Sequence, residues 1–153
     1  MPRILCLDIG EQRTGVAISD ETCTIAQSLG TIAHKTETEL ITTVRRLITE
    51  HAVKKIVIGL PLSLSGKPST RSEKIRHFAA KLKTKLSLPV ELWDERFSTN
   101  YAEKIYAEVT GRRFRRNATR TRYPISPIDR IAATVILENY LENVRSRRRN
   151  GTP

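Results

Sequence analysis

Residues 3–19 read RILCLDIGEQRTGVAIS, and this stretch decides the fold. Arg3 to Asp8 is a short apolar run that ends on an acid and Gly10, and Gly15 to Ser19 is a second such run. The turn Gly10 to Thr14 between them suits a hairpin, so the chain opens with two antiparallel strands. Gln27 to Ala33 is a third strand candidate. A helix starts at Thr36, where Glu39 completes a capping box and Leu40, Val44, Leu47 and Ile48 form one face. Lys55 to Leu60 (KIVIGL) is apolar enough to be buried on both sides, as a parallel strand is, and Gly59 and Pro61 stop it. Thr70 and Glu73 suggest a second capping box, with Ile75, Phe78, Ala79, Leu82 and Leu86 along the helix behind it. Pro89 to Trp93 gives a fifth strand running into Asp94, Glu95 and Arg96. A helix from about Thr99 to Val109 follows, and the last helix opens at Ser126 and Pro127, with Ile128, Ile131, Ala132, Val135 and Ile136 on its apolar side. Strands that alternate with crossover helices are parallel, whereas the opening hairpin is antiparallel. The class is therefore α/β, a mixed five-stranded sheet flanked by helices.

In such sheets the functional site lies at the carboxyl ends of the strands. Asp8 and the Asp94–Glu95 pair sit there, and Asp129, on the first turn of the last helix, is the third acid able to reach the same edge. Carboxylates gathered at one edge repel and raise one another's pKa unless a cation neutralises them. A hard divalent ion, Mg²⁺ or Mn²⁺, is the natural partner, taking oxygen ligands from the protein and from a substrate phosphate. Each acid also has a plainer reading. Asp8 can cap the turn before Gly10, Asp129 suits a helix N-terminus, and Asp94 and Glu95 can pair with Arg96. Asp20 and Glu21 read as turn residues.

The chain of 153 residues carries 27 Lys and Arg against 16 Asp and Glu, a net charge of +11. Residues 111–124 (GRRFRRNATRTRYP) hold six arginines and no acid, residues 145–153 (RSRRRNGTP) hold four and no acid, and the rest of the chain is close to neutral. A basic loop and a basic tail on a balanced body suit a polyanion held through its phosphates, although a charge run is often only a solvated face. Phe114 and Tyr123 among these arginines suit either stacking on bases or anchoring to the core. The length favours one domain, residues 1–144, followed by a disordered basic tail from Arg145 to Pro153. No apolar run reaches the roughly 18 residues of a membrane span, and no signal segment is evident, which implies a cytoplasmic address. Cys6 and Cys23 are too few for a disulfide framework and read as buried thiols.

Taken together, Asp8-Ile9-Gly10, Arg13, Gly15-Val16-Ala17, Ser19-Asp20, Gly59-Leu60-Pro61, Asp94-Glu95-Arg96-Phe97-Ser98-Thr99 and Asp129 with Ala132-Ala133 resemble the YqgF family of Holliday-junction-resolvase-like proteins, over about residues 3–142. The resemblance implies an RNase H-like fold and a divalent-metal nuclease linked to maturation of the 5′ end of 16S rRNA, as well as a resolvase role. It assigns Asp8, Glu95 or Asp94, and Asp129 to catalysis. Asp8, Glu95 and Asp129 are the expected ligands for one or two ions. Strand alternation lets only one of Asp94 and Glu95 reach the site, with Glu95 favoured. Arg13 and the loop arginines Arg112, Arg113, Arg115, Arg116, Arg120 and Arg122 are the expected nucleic-acid contacts. The chain departs from the wider resolvase pattern at Gly59-Leu60-Pro61, where an acid would end the fourth strand, and it has no acid close after Asp129 before Glu138.

Three other functions compete. A DNA-junction resolvase would act as a homodimer rather than a monomer, presenting two sites to one junction. A non-catalytic RNA-binding module for ribosome assembly would keep the fold without cutting. An Asp-x-Gly hairpin also opens ATP-binding folds, but those enclose the nucleotide between two domains.

Overall fold

The computed structural model describes residues 3–61, 69–94, 127–149 and 151, with the side chains of 127–131 outside that description. The hairpin expected from residues 3–19 is β1 (Arg3–Ile9) and β2 (Arg13–Ser19), and β3 (Ala26–Ala33) lies antiparallel to β2. Helix α1 (Glu37–His51), strand β4 (Val53–Leu60), helix α2 (Thr70–Leu86), strand β5 (Val90–Asp94) and helix α3 (Pro127–Arg149) complete the described elements. The strand order is β3-β2-β1-β4-β5, with β4 parallel to both β1 and β5. The helix expected over 99–109 and the loop 111–124 lie outside the described residues.

Side-chain alternation divides the interior in two. Leu5 and Leu7 of β1 and Ile56, Ile58 and Leu60 of β4 face α1 and α2, where they meet Leu40, Val44, Phe78 and Leu82. Ile4 and Cys6 of β1 and Val57 of β4 face α3, under Ala133, Ile136, Leu137 and Tyr140. Both faces of β4 are covered, which is why KIVIGL is an unbroken apolar run.

The helix termini refine the expected caps. At α1, Thr36 Oγ1 accepts from the Glu39 N–H at 3.2 Å, while Glu39 Oε2 accepts from the Lys35 N–H at 2.9 Å, so the box closes one residue further out. The expected Thr70–Glu73 box at α2 is replaced by Ser69 and Ser72. Ser72 is fully buried there, and its hydroxyl takes the Ser69 N–H at 2.7 Å. Both helices end on a non-glycine residue in the left-handed region, Ala52 and Ser87, each at φ 53°.

On α3 the buried stripe runs through Ala133, Val135, Ile136, Leu137, Tyr140 and Leu141. Val135 and Ile136 are buried as expected, while Ala133 rather than Ala132 is fully buried and the stripe extends to Leu137, Tyr140 and Leu141. The helix also continues to Arg149, so residues 145–149, expected as disordered tail, are helical. Arginine is a good helix former and no breaker precedes Gly151, at φ 70°. Neither cysteine is in a disulfide, but only Cys6 is buried; Cys23 is half-buried in a left-handed turn at φ 56°.

Candidate active site

Asp8 stands near the carboxyl end of β1, half-buried. It alternates with Cys6 and Ile4, so it belongs to the α3 face of the sheet. Its partner across the hairpin is Gly15. One step beyond the Leu7–Ile58 pair, Gly59 comes alongside on β4. Side chains directly opposite in a sheet lie about 4.5–5.5 Å apart, so a glycine on each side leaves the Asp8 carboxylate without lateral neighbours. Among the described residues, that carboxylate accepts no hydrogen bond and forms no ion pair. An open acceptor-only group of this kind is a suitable first ligand for a hard cation.

The row continues to β5, where Gly59 pairs with Trp93 and Leu60 with Asp94. Trp93 joins the α3-side core, whereas Val90 and Leu92 pack on the α1–α2 side. Asp94 has the parity of Val90 and Leu92 and is therefore on the opposite face from Asp8. Glu95 lies outside the described residues, as do Arg112, Arg113, Arg115, Arg116, Arg120 and Arg122. The backbone of Asp129 is in the first turn of α3, one turn before the buried Ala133. Among the described residues no three His, Cys, Asp or Glu side chains form a metal-binding group.

Arg13 opens β2, and its carbonyl accepts from the Gly10 N–H at 2.9 Å, closing the turn. It shares the parity of Gly15 and Ala17, so Arg13 and Asp8 lie on the same face, diagonal to one another across the hairpin. A methyl group at Gly10 would stand 2.4 Å from the Arg13 carbonyl oxygen, so the turn that fixes this diagonal requires glycine.

At the far end of β4 and β5, Tyr140 of α3 is tied down by charge. Lys55 Nζ lies 2.7 Å from Glu91 Oε2 and 2.5 Å from the Tyr140 hydroxyl, which donates to Glu91 at 2.7 Å. Burial pushes the Glu91 carboxyl up, but the hydrogen bonds from Lys55 and Tyr140 outweigh it and leave its pKa below the ordinary value. Burial likewise pulls Lys55 down, and the same bonds bring its pKa out above the usual lysine value. The Tyr140 ring meets Trp93 edge-on at 5.5 Å.

Sequence reasoning missed Arg71. Its guanidinium donates to the Ile9 carbonyl at 3.1 Å, one residue after Asp8, although the two are 62 positions apart. The only sequence signal was a cation in the first turn of α2, where the helix dipole disfavours it.

Comparison with known proteins gives a consistent answer. Residues 2–143 match the model of the family described as RuvX, Holliday junction resolvase. A protein of Caldanaerobacter subterraneus subsp. tengcongensis named "Putative pre-16S rRNA nuclease" is 37% identical over 145 residues, covering 94% of this chain and 99% of its own length. One of Geobacillus kaustophilus with the same name is 42% identical over 146 residues, with the same coverage. Among solved structures, T. thermophilus RuvC in complex with a Holliday junction superposes with a TM-score of 0.56 at 10% identity, covering 95% of this chain and 96% of that one. The Fowlpox virus resolvase in complex with Holliday junction DNA gives 0.54 at 18% identity, covering 93% and 98%. These two share the RNase H-like fold: a mixed five-stranded sheet with helices on its faces. The chain belongs to the RuvX, Holliday junction resolvase family.

Proposed function

We propose that the chain is a metal-dependent endonuclease that hydrolyses phosphodiester bonds in nucleic acid, acting in the cytoplasm on the 5′ end of precursor 16S rRNA. The observation that carries this reading is the Asp8 carboxylate, open between Gly15 and Gly59 at the carboxyl edge of the sheet. The names of the relatives support the choice of substrate.

Asp8, Glu95 and Asp129 are the ligands that would hold Mg²⁺ or Mn²⁺, as one ion or two. When bound, such an ion activates water and offsets the charge that develops on the phosphate. Glu95 is preferred to Asp94 because Asp94 faces away from Asp8. Asp129 precedes Ala133, Ile136, Leu137 and Tyr140 by 4, 7, 8 and 11 residues, the spacing of one helix face. The buried members of that face cover Cys6 and Val57, so α3 runs from Tyr140 back toward the Asp8 end. Eleven residues of helix span about 16 Å. The five steps from Lys55 to Leu60 span about the same length of strand, which brings the first turn of α3 over that end. Arg13, on the Asp8 face, and Arg112, Arg113, Arg115, Arg116, Arg120 and Arg122 would contact phosphates.

The test is cleavage of a precursor 16S fragment with Mg²⁺ present. Asp8→Asn is expected to fall to background. Glu95→Gln should be severely impaired, and Asp94→Asn should lose far less. An Asp8→Asn variant that cuts as fast as the unaltered chain would sink the assignment. The description of the matched family favours one second reading, a homodimeric resolvase acting on DNA junctions. Competition between a synthetic four-way junction and an RNA hairpin separates the two, since a resolvase cuts at paired, symmetric positions.

A further inference from the structure

Behind Asp8, on the α1–α2 side of the same strand end, lies a cleft of about 450 Å³. It opens where β1 ends at Ile9 and Gly10, between the first turns of α1 and α2. Three cations line it: Lys35, Arg71 and Lys74. The ammonium groups of Lys35 and Lys74 have no carboxylate partner among the described residues. Arg71 is fixed to the Ile9 carbonyl by one arm of its guanidinium, which leaves most of its five N–H donors for another acceptor. Of the two acids lining the cleft, Glu37 is paired with Lys81 at 2.8 Å, which leaves Glu11 to oppose the three lining cations, with Glu39 nearby acting on His34. His34, in the wall, is buried and bonded to Thr14 Oγ1 at 2.8 Å, and burial pushes its pKa down, so it adds no charge near neutral pH. Ile9, Ile75 and Phe78 supply apolar walls.

Asp8 and Ile9 are consecutive residues on opposite faces of one strand, and the ridge between the acid and the cleft is only the half-buried end of β1. A strand held at Asp8 that continues over that ridge meets, on this side, a recess lined by three cations, one of them an anchored guanidinium. We propose that the cleft binds the phosphate of a nucleotide flanking the scissile bond, with Arg71 and Lys74 as its ligands and Lys35 at the rim. The site rests on the nuclease reading for its place in the reaction, but its binding is measurable without cleavage.

The experiment titrates a fluorescein-labelled single-stranded RNA against the full chain in EDTA, by anisotropy over a range of salt concentrations. Arg71→Gln and Lys74→Gln are each expected to weaken binding several-fold and to lower the salt slope by about 0.7, the value for one lost single-strand phosphate contact. The double variant Lys35→Gln, Lys74→Gln leaves the Arg71–Ile9 bond intact, so a loss shared by both routes is not a folding defect. With Mg²⁺, shortening the substrate on the side that enters the cleft should raise KM for the unaltered chain and leave KM of the Lys74→Gln variant unchanged. Unaltered affinity and slope in all these variants would overturn the cleft assignment, whatever the cleavage rates. Active Asp8→Asn together with weakened Lys74→Gln would instead refute the nuclease site while leaving a binding cleft.

Discussion

Replacing Tyr140 by Phe tests how α3 is held on the sheet. The substitution keeps the ring, its edge contact with Trp93 at 5.5 Å and its burial, and removes one hydroxyl that accepts from Lys55 and donates to Glu91. Hydrogen bonds to charged groups contribute about 1.5–3 kcal/mol each, so losing two sets an upper bound of roughly 3–6 kcal/mol. That bound is too high here, because Lys55 and Glu91 still touch directly at 2.7 Å and both side chains are about one third exposed, at 33% and 37%. Water can reach the orphaned groups, and the expected loss is about 1–1.5 kcal/mol. Tyr140→Ala, which also opens a cavity between α3 and β5, should cost about 3–5 kcal/mol. Urea unfolding with an unchanged m value measures both. The sign with pH is fixed by the two shifts. The Glu91 carboxyl lies below its ordinary pKa, so its share is full above the carboxylate range and lost as pH falls through the lowered value. Lys55 lies above its ordinary pKa, so its share is full below the usual lysine value and lost as pH rises through the raised one. The difference between the unaltered chain and Y140F should therefore be flat across neutral pH and shrink at both ends. No difference at neutral pH, or one as large as for Tyr140→Ala, refutes this account of the cluster.

Gly10→Ala should cost about 1–3 kcal/mol, because its Cβ meets a backbone oxygen at 2.4 Å, and it should slow cleavage by misplacing Asp8 against Arg13. Thermal unfolding and single-turnover assays read the two effects. Ala52→Gly should stabilise the chain by about 0.5–1 kcal/mol, since a left-handed alanine costs about 1–2 kcal/mol and glycine returns part of that in entropy; denaturant midpoints check it. The Asp20 carboxyl is lowered to about 2 by the Ile25 N–H first, then by the Thr22 hydroxyl and the Thr24 N–H. Its contribution to the β2–β3 turn should be complete above its ordinary value of 3.8 and vanish as pH falls toward about 2. NMR titration of the Asp20 carboxyl carbon reports the value, and Asp20→Asn should flatten the acid limb of the stability curve.

The elements were legible wherever one physical signal dominated. The alternating runs of 3–19 gave the hairpin, and the unbroken apolar KIVIGL gave a strand covered on both faces. Asp8 was legible as a candidate because an acid followed by Ile9-Gly10 ends an apolar strand. Where two local options were equivalent, tertiary contact decided. Ser69 and Thr70 can each cap α2, and burial of Ser72 selects the first. On α3, the buried residue is Ala133 and not Ala132 because the stripe must also seat Tyr140 on Lys55 and Glu91. Arg71 beside Ile9 was not legible, since the bond exists only once α2 has crossed back over β1. The choice between Asp94 and Glu95 was half legible: alternation requires one, but which face carries Asp8 and α3 is a property of the assembled sheet.

The assembled sheet also gives a meaning to the acid missing from β4. In the row Asp8, Gly59, Trp93, the middle position is the one from which a β4 side chain would point beside Asp8, and it is glycine. The neighbouring Leu60 faces the α1–α2 core and is almost wholly buried, so a carboxylate there would be directed away from Asp8 and into apolar packing. β4 thus contributes space to the Asp8 face and no charge. A cation held as proposed would take its ligands from β1, from the end of β5 and from the first turn of α3; β4 joins the first two in one sheet, and α3 lies across it. Asp8 is placed by the hairpin and the end of β5 by its pairing with β4, whereas the first turn of α3 is placed by the packing of that helix between Tyr140 and Ala133. Catalysis and the stability of that one helix should therefore fail together when α3 is loosened, whereas substitutions in α1 should lower stability without changing the cleavage rate of the folded chain.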